Sequence, residues 1–203
     1  MKTKERILVE ALHLFEKRGF EAVSVSDIAG CMGMTKGALY RHYRDKQDIL
    51  ESIIEQMREN DRIRAQEYEV PEDTFRETPE DYRESELISM IRFLEAQFDY
   101  WTEDSFAAPF RRMLTIEQYR SEEMAALHHD YVGGGVIDYI TDFFREQMSA
   151  GKMRVGEPAA VACEFYGPAY LMMGLYDGAK NKEQIRQMLQ THLKVFEERY
   201  VIQ

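Results

Sequence analysis

Apolar residues recur at steps of three and four almost from the first position. Ile7, Leu8, Ala11, Leu12 and Phe15 line one face of residues 6–18, and Gly19 stands where a left-handed residue would end the helix. Ser24 is placed to cap a second, short helix carrying Val25, Ile28, Ala29 and Met32, which ends near Gly33. Thr35 caps a third, Lys36 to Tyr43, and Asp45 a fourth whose stripe is Ile49, Leu50, Ile53, Ile54 and Met57. Farther on, Leu87, Ile91, Leu94, Phe98 and Trp101 predict a helix over 84–103, and Phe106 to Leu114 a shorter one. Val132, Val136, Ile140, Phe143 and Phe144 predict another over 122–147 that stops at Gly151. Pro158 suits the first turn of a helix running through Phe165 and Leu171 towards Asp177 and Gly178. Asn181 with Gln184 resembles a capping box ahead of the last stripe, Ile185, Met188, Leu189, His192, Leu193, Phe196 and Tyr200. No stretch alternates with period two between turn signals, so the chain is predicted to be all-α, with about nine helices.

Three interruptions break this pattern. Residues 67–86 hold nine acids, two arginines and prolines at 71 and 79, and are expected to form a mobile acidic loop. Gly133, Gly134 and Gly135 fall inside the 122–147 pattern, where three glycines disfavour an unbroken helix by roughly 3 kcal/mol, so a bend or break is expected. It would serve either as a hinge or to let a bulky neighbour pack closely. Pro168 is expected to kink the helix that contains it.

Charge refines the picture. The chain carries a net charge of −11, which alone would set it against a polyanion. The acid is unevenly placed, however. Residues 1–50 hold nine Lys and Arg against seven Asp and Glu, whereas residues 51–203 hold 17 against 30. Lys36, Arg41, Arg44 and Lys46 face only Asp45 over residues 36–46, a local basic patch of the kind a phosphate backbone uses. Cys31 and Cys163 lack the spacing of a metal knuckle or redox pair and are read as thiols in a reducing cytoplasm. No apolar run approaches the roughly 20 residues of a bilayer span, and no export signal is recognised. There is no Gly-x-Ser-x-Gly elbow, phosphate-cradling glycine loop or His-Glu-x-x-His, so the chain is not expected to be an enzyme or to need a cofactor. His128 and His129 point about 100 degrees apart on a helix and are not expected to share a metal.

The most specific run is Arg6 to Met57. The amphipathic first helix with Phe15, the Gly19-Phe20 turn, Asp27-Ile28-Ala29 and Thr35-Lys36-Gly37-Ala38-Leu39-Tyr40, followed by Tyr43 and Lys46, resembles the DNA-binding domain of TetR/AcrR-family bacterial transcriptional regulators. The resemblance covers about the first quarter of the chain. Helix-turn-helix proteins lay a second short helix in the major groove, with the residues near its N-terminus at the base edges. Thr35 to Tyr43 fits that helix. Thr35 caps it, Lys36 projects an ammonium towards guanine O6 or N7, and Gly37 adds no side chain to hold the backbone away. The resemblance further implies phosphate or base contacts from Tyr40 and His42, a phosphate contact from Lys46, and an approach of Ser24 and Ser26 from the second helix.

These observations divide the chain into a helix-turn-helix domain, 1–48, and a larger helical domain for effector binding and dimerisation, 49–203. A homodimer reading an inverted-repeat operator in double-stranded DNA is expected, with the last two helices at a four-helix interface. By the resemblance, a small hydrophobic or aromatic effector releases the repressor, its site drawn from Phe98, Trp101, Phe110, Met113, Tyr131, Phe165, Tyr166 and Tyr170. The alternative is a regulator of the same kind gated by a protein partner, or by no ligand.

Overall fold

The computed structural model describes residues 2–202, and the described residues form eleven α-helices and no strand beyond one isolated bridge, Met153 with Val201. They fall into two compact units. The first comprises residues up to Asn60 together with Glu103–His128; the second comprises Asp61–Thr102 and the residues from His129 onward.

In the first unit, α1 (Thr3–Arg18) buries Ile7, Leu8, Ala11, Leu12 and Phe15, the predicted stripe. It stops at Gly19, whose φ of 82° and ψ of 153° suit glycine alone and whose N–H donates to Phe15 O at 2.9 Å. Helix α2 (Val25–Cys31) buries Ile28 and Ala29, and α3 (Lys36–Leu39) buries Leu39. The chain keeps winding after α3: His42 N–H donates to Leu39 O at 2.8 Å and Tyr43 N–H to the same oxygen at 3.2 Å. The expected Lys36 to Tyr43 helix is thus one short turn of α-helix followed by tighter turns. Asp45 caps α4 (Lys46–Glu67), its carboxylate accepting from Asp48 N–H at 2.8 Å, and Ile49, Leu50, Ile53, Ile54 and Met57 are buried as the pattern predicts. Helix α7 (Ala107–Glu117) packs against α1, and the start of α8 (Glu122–Val132) completes the unit.

The second unit centres on α9 (Gly134–Ser149), α10 (Pro158–Gly178) and α11 (Lys182–Tyr200), with α10 packed on both others. Phe144, Phe165 and Phe196 form its aromatic centre, with ring centroids 4.7–5.6 Å apart. Helix α6 (Leu87–Glu103) brings Phe98 edge-on to Tyr176 at 5.6 Å.

The helix count exceeds nine for two reasons. The acidic segment carries a helix of its own, α5 (Pro79–Glu84), because Pro79 opens a turn whose Tyr82 is buried. It is also well tethered: Tyr82 donates to Asp73 O at 2.9 Å, Tyr139 to Pro71 O at 2.9 Å, and Gln147 Nε2 to Tyr82 O and Ser85 O at 2.8 and 2.9 Å. The glycine run ends α8 at Val132 and starts α9 at Gly134, the break that the composition predicts. A Cβ on Gly135 would stand 3.1 Å from the Asp130 backbone, so this glycine has a packing reason. Pro168, by contrast, lies inside an uninterrupted α10.

Replacing Gly19 by alanine is expected to destabilise the protein by about 1–3 kcal/mol, because the backbone conformation is strained for any other residue. The added Cβ would also come within 2.6 Å of Arg120 Nη1 and Glu117 Oε1. A denaturant midpoint for Gly19→Ala equal to that of the wild type would contradict this.

Candidate nucleic-acid interface

Two short helices present the predicted contacts, and their caps decide where they begin. Ser24 accepts from Asp27 N–H at 3.1 Å, while the Asp27 carboxylate takes Ser24 N–H at 2.8 Å and Ser24 O–H at 2.5 Å. This reciprocal cap, with Arg18 adding a further bond at 3.0 Å, holds the Asp27 carboxyl well below the usual carboxylate range; the Ser24 hydroxyl is the largest cause. The Ser24 hydroxyl is therefore spent on the cap. Ser26, one residue into the helix, is exposed.

Thr35 Oγ1 accepts from Ala38 N–H at 3.2 Å, which fixes the first turn of α3. Thr35, Lys36, Gly37, Tyr40 and His42 are all exposed. The Lys36 ammonium lies 5.6 Å from the centre of the Tyr40 ring, so a cation and an aromatic hydroxyl leave this turn side by side. A Cβ built at Gly37 would meet nothing within 4 Å, consistent with a surface that a bulky ligand can approach. Among these residues the structure brings together a capped helix start, an exposed cation and a phenol, all on one segment.

Lys46 stands apart. Its ammonium donates to Phe20 O at 2.7 Å and to Glu21 O at 3.4 Å, and sits 4.2 Å from the centre of the Phe20 ring. Those bonds tie α4 to the turn after α1. Other positioning residues had no signature in the sequence. Glu117, 2% exposed, accepts Phe20 N–H at 3.3 Å and Arg120 Nη1 at 2.7 Å, while Arg112 Nε donates to Glu16 at 2.6 Å. Tyr43 donates to Lys4 O at 3.2 Å, its phenol pushed up to about 12 by burial and then by the charge of Asp48, so the hydroxyl keeps its proton.

The proposed effector residues are dispersed. Phe110 and Met113 are fully buried in the first unit; Phe98, Trp101, Tyr131, Phe165, Tyr166 and Tyr170 belong to the second. Phe98 and Phe165 are closely packed, Tyr166 donates to Val132 O at 2.8 Å, and Tyr170 is 40% exposed. A cleft of about 520 Å³ in the second unit is lined by other residues, among them Glu69, Glu72, Asp81, Glu84 and Glu86. Among the described residues, no group of three or more metal-ligating side chains is gathered and no helix is long and apolar enough to cross a membrane. Both cysteines are exposed and unbridged.

The arrangement of α1 to α4 is that of a helix-turn-helix domain. Residues 7–53 match the family model described as bacterial regulatory proteins, tetR family. The HTH-type transcriptional regulator AcrR of Shigella flexneri is 42% identical over 53 residues, 26% of this chain and 25% of the relative. The HTH-type transcriptional repressor BepR of Brucella suis biovar 1 is 44% identical over 52 residues, again 26% of this chain and 25% of the relative. Each match thus spans a quarter of the relative's length. Across the whole chain the fold is shared with SmeT, the repressor of the Stenotrophomonas maltophilia multidrug efflux pump SmeDEF. That structure aligns with a TM-score of 0.65 and 18% identity, covering 100% of this chain and 92% of its own. The complex of SmeT with triclosan gives a TM-score of 0.68 at 18% identity, covering 100% and 93%.

The two lysines are expected to part company in solution. Lys36→Met, at an exposed position, should leave the unfolding free energy within about 0.5 kcal/mol of wild type, whereas Lys46→Met strips Phe20 O of its charged donor and should cost about 1–3 kcal/mol. Equal unfolding curves for the two variants would contradict the assignment of Lys46 to the turn.

Proposed function

We propose that this chain is a sequence-specific DNA-binding transcriptional regulator of the cytoplasm, a homodimeric repressor released from an inverted-repeat operator by a small hydrophobic effector. The observation that carries this is the Thr35-capped turn, with Lys36, Gly37 and Tyr40 exposed on it. Lysine near the start of such a helix can donate to guanine in the major groove, and the neighbouring hydroxyls and helix N-terminus suit phosphates. The match to the repressor BepR supports repression, and the complex of SmeT with triclosan supports regulation by a small molecule. No catalytic role is assigned.

Selection of bound sequences from random duplex DNA tests this. The wild type should enrich a palindrome, with binding that falls steeply as salt rises, and Lys36→Ala should weaken or relax that preference by about 1–3 kcal/mol. No enrichment at low salt would sink the proposal.

Dimerisation is assigned to α10 and α11. Leu171 and Leu175 are 63% and 47% exposed one turn apart on α10, and Met188 and Val195 are 46% and 48% exposed two turns apart on α11. Large apolar side chains in such rows suit a four-helix interface with a second copy. A double Leu171→Glu, Leu175→Glu variant should sediment as a folded monomer and lose at least tenfold in operator affinity; a dimer that persists would contradict this assignment.

A further inference from the structure

Asp61 and Arg64 lie three residues apart on the second-unit part of α4 and therefore share a face. Both residues are half-buried, yet Asp61 Oδ1 and Arg64 Nη2 are shut off from solvent with no hydrogen-bond partner in the protein. They do not pair with each other. Arg64 is held elsewhere: its Nε donates to Gln97 Oε1 at 3.1 Å, and its guanidinium stands 4.4 Å from the centre of the Tyr100 ring and 5.8 Å from that of Tyr68. Tyr68 in turn lies 5.9 Å from Phe93. The free edge of the guanidinium is thus locked in place by a hydrogen bond and an aromatic face. Burial pushes the Asp61 carboxyl up to about 7 against the opposing pull of Arg64, so its proton is loosely held near neutrality.

A buried acceptor and a buried donor left unmade cost more than the hydrogen bonds they forgo, and native proteins leave such pairs chiefly where something else completes them. Here the acceptor and the donor lie on α4, the ring of Tyr68 directly follows its last residue, and the rings of Phe93 and Tyr100 lie on α6.

We propose that Asp61 and Arg64 are the polar anchor of the effector site, taking a small aromatic molecule whose head group carries one hydrogen-bond donor and one acceptor. The donor faces Asp61 Oδ1, the acceptor faces Arg64 Nη2, and the flat body lies against the aromatic rings. This rests on the effector-gated reading above and adds the chemistry of the ligand: amide-like or hydroxy-carbonyl compounds are taken in preference to plain hydrocarbons.

The test is thermal unfolding of the full chain with four probes of one shape, each at the same millimolar concentration: benzamide with donor and acceptor, benzylamine with a donor, benzoate with acceptors, and toluene with neither. Benzamide should raise the midpoint by several degrees more than toluene does. Asp61→Leu and Arg64→Met should each lose that increment while keeping the response to toluene, and Asp61→Leu should raise the midpoint of the unliganded protein. Asp61→Asn, which keeps an acceptor, should retain the increment. Benzamide no better than toluene, an increment that survives both substitutions, or a lower midpoint for unliganded Asp61→Leu would overturn the proposal. Because this assay contains no DNA, a chain that passes it but enriches no operator would refute the repressor reading and leave the anchor standing.

Discussion

Both backbone polar groups of Phe20 are taken by charged side chains from distant parts of the sequence, and the geometry of the first unit depends on that arrangement. Its N–H donates to the buried Glu117 carboxylate and its carbonyl accepts from the Lys46 ammonium, while its ring packs edge-on to Phe15 at 5.0 Å. Gly19 supplies the backbone conformation that brings the chain to this point. A carboxylate in a nearly dry site would be costly alone, but here it receives a backbone N–H and the Arg120 guanidinium together. The turn between α1 and α2 is therefore fixed by α7 and α4 as much as by its own residues. Once it is fixed, the Ser24 and Thr35 caps determine where α2 and α3 begin, and so which side chains face outward.

The charge distribution follows the same division of labour. In the first unit the acids are largely occupied: Asp27 on its cap and Arg18, Asp48 on Arg44, Glu16 on Arg112 and Glu117 on Arg120. Lys36 is left exposed beside Tyr40, so a chain of strongly negative net charge still offers a cationic edge to a polyanion. The excess acid lies in the second unit, where Glu69, Glu72, Asp81, Glu84 and Glu86 line an open cleft.

Local signals in the sequence were sufficient for local features. The α1 stripe, the caps at Ser24, Thr35 and Asn181 and the break at Gly133 all follow from spacing and residue chemistry, because each is settled within one or two turns of chain. Helix α5 was hidden because its stability comes from Tyr82, Gln147 and Tyr139, which meet across some 65 residues, and acidic composition speaks only of the surface. The role of Glu117 was hidden likewise, since an acid 97 residues from Phe20 carries no mark of its partner. Lys46 shows the same limit: a lysine beside a recognition helix suggests a phosphate, and only the fold reveals the carbonyl it serves. Asp61 and Arg64 carry no such mark either, since the unpartnered oxygen of one and nitrogen of the other are visible only in the folded chain.

The most direct measurement is the amide NMR spectrum of the full chain, titrated with the duplex most enriched in the selection from random DNA. The account predicts that the largest shifts cluster at Thr35 to Tyr40 and at the start of α2, with Leu39 and Ile28 keeping the slow exchange of buried helix amides. Shifts confined to residues beyond 60, with the Thr35 to Tyr40 amides unmoved at saturating DNA, would contradict it.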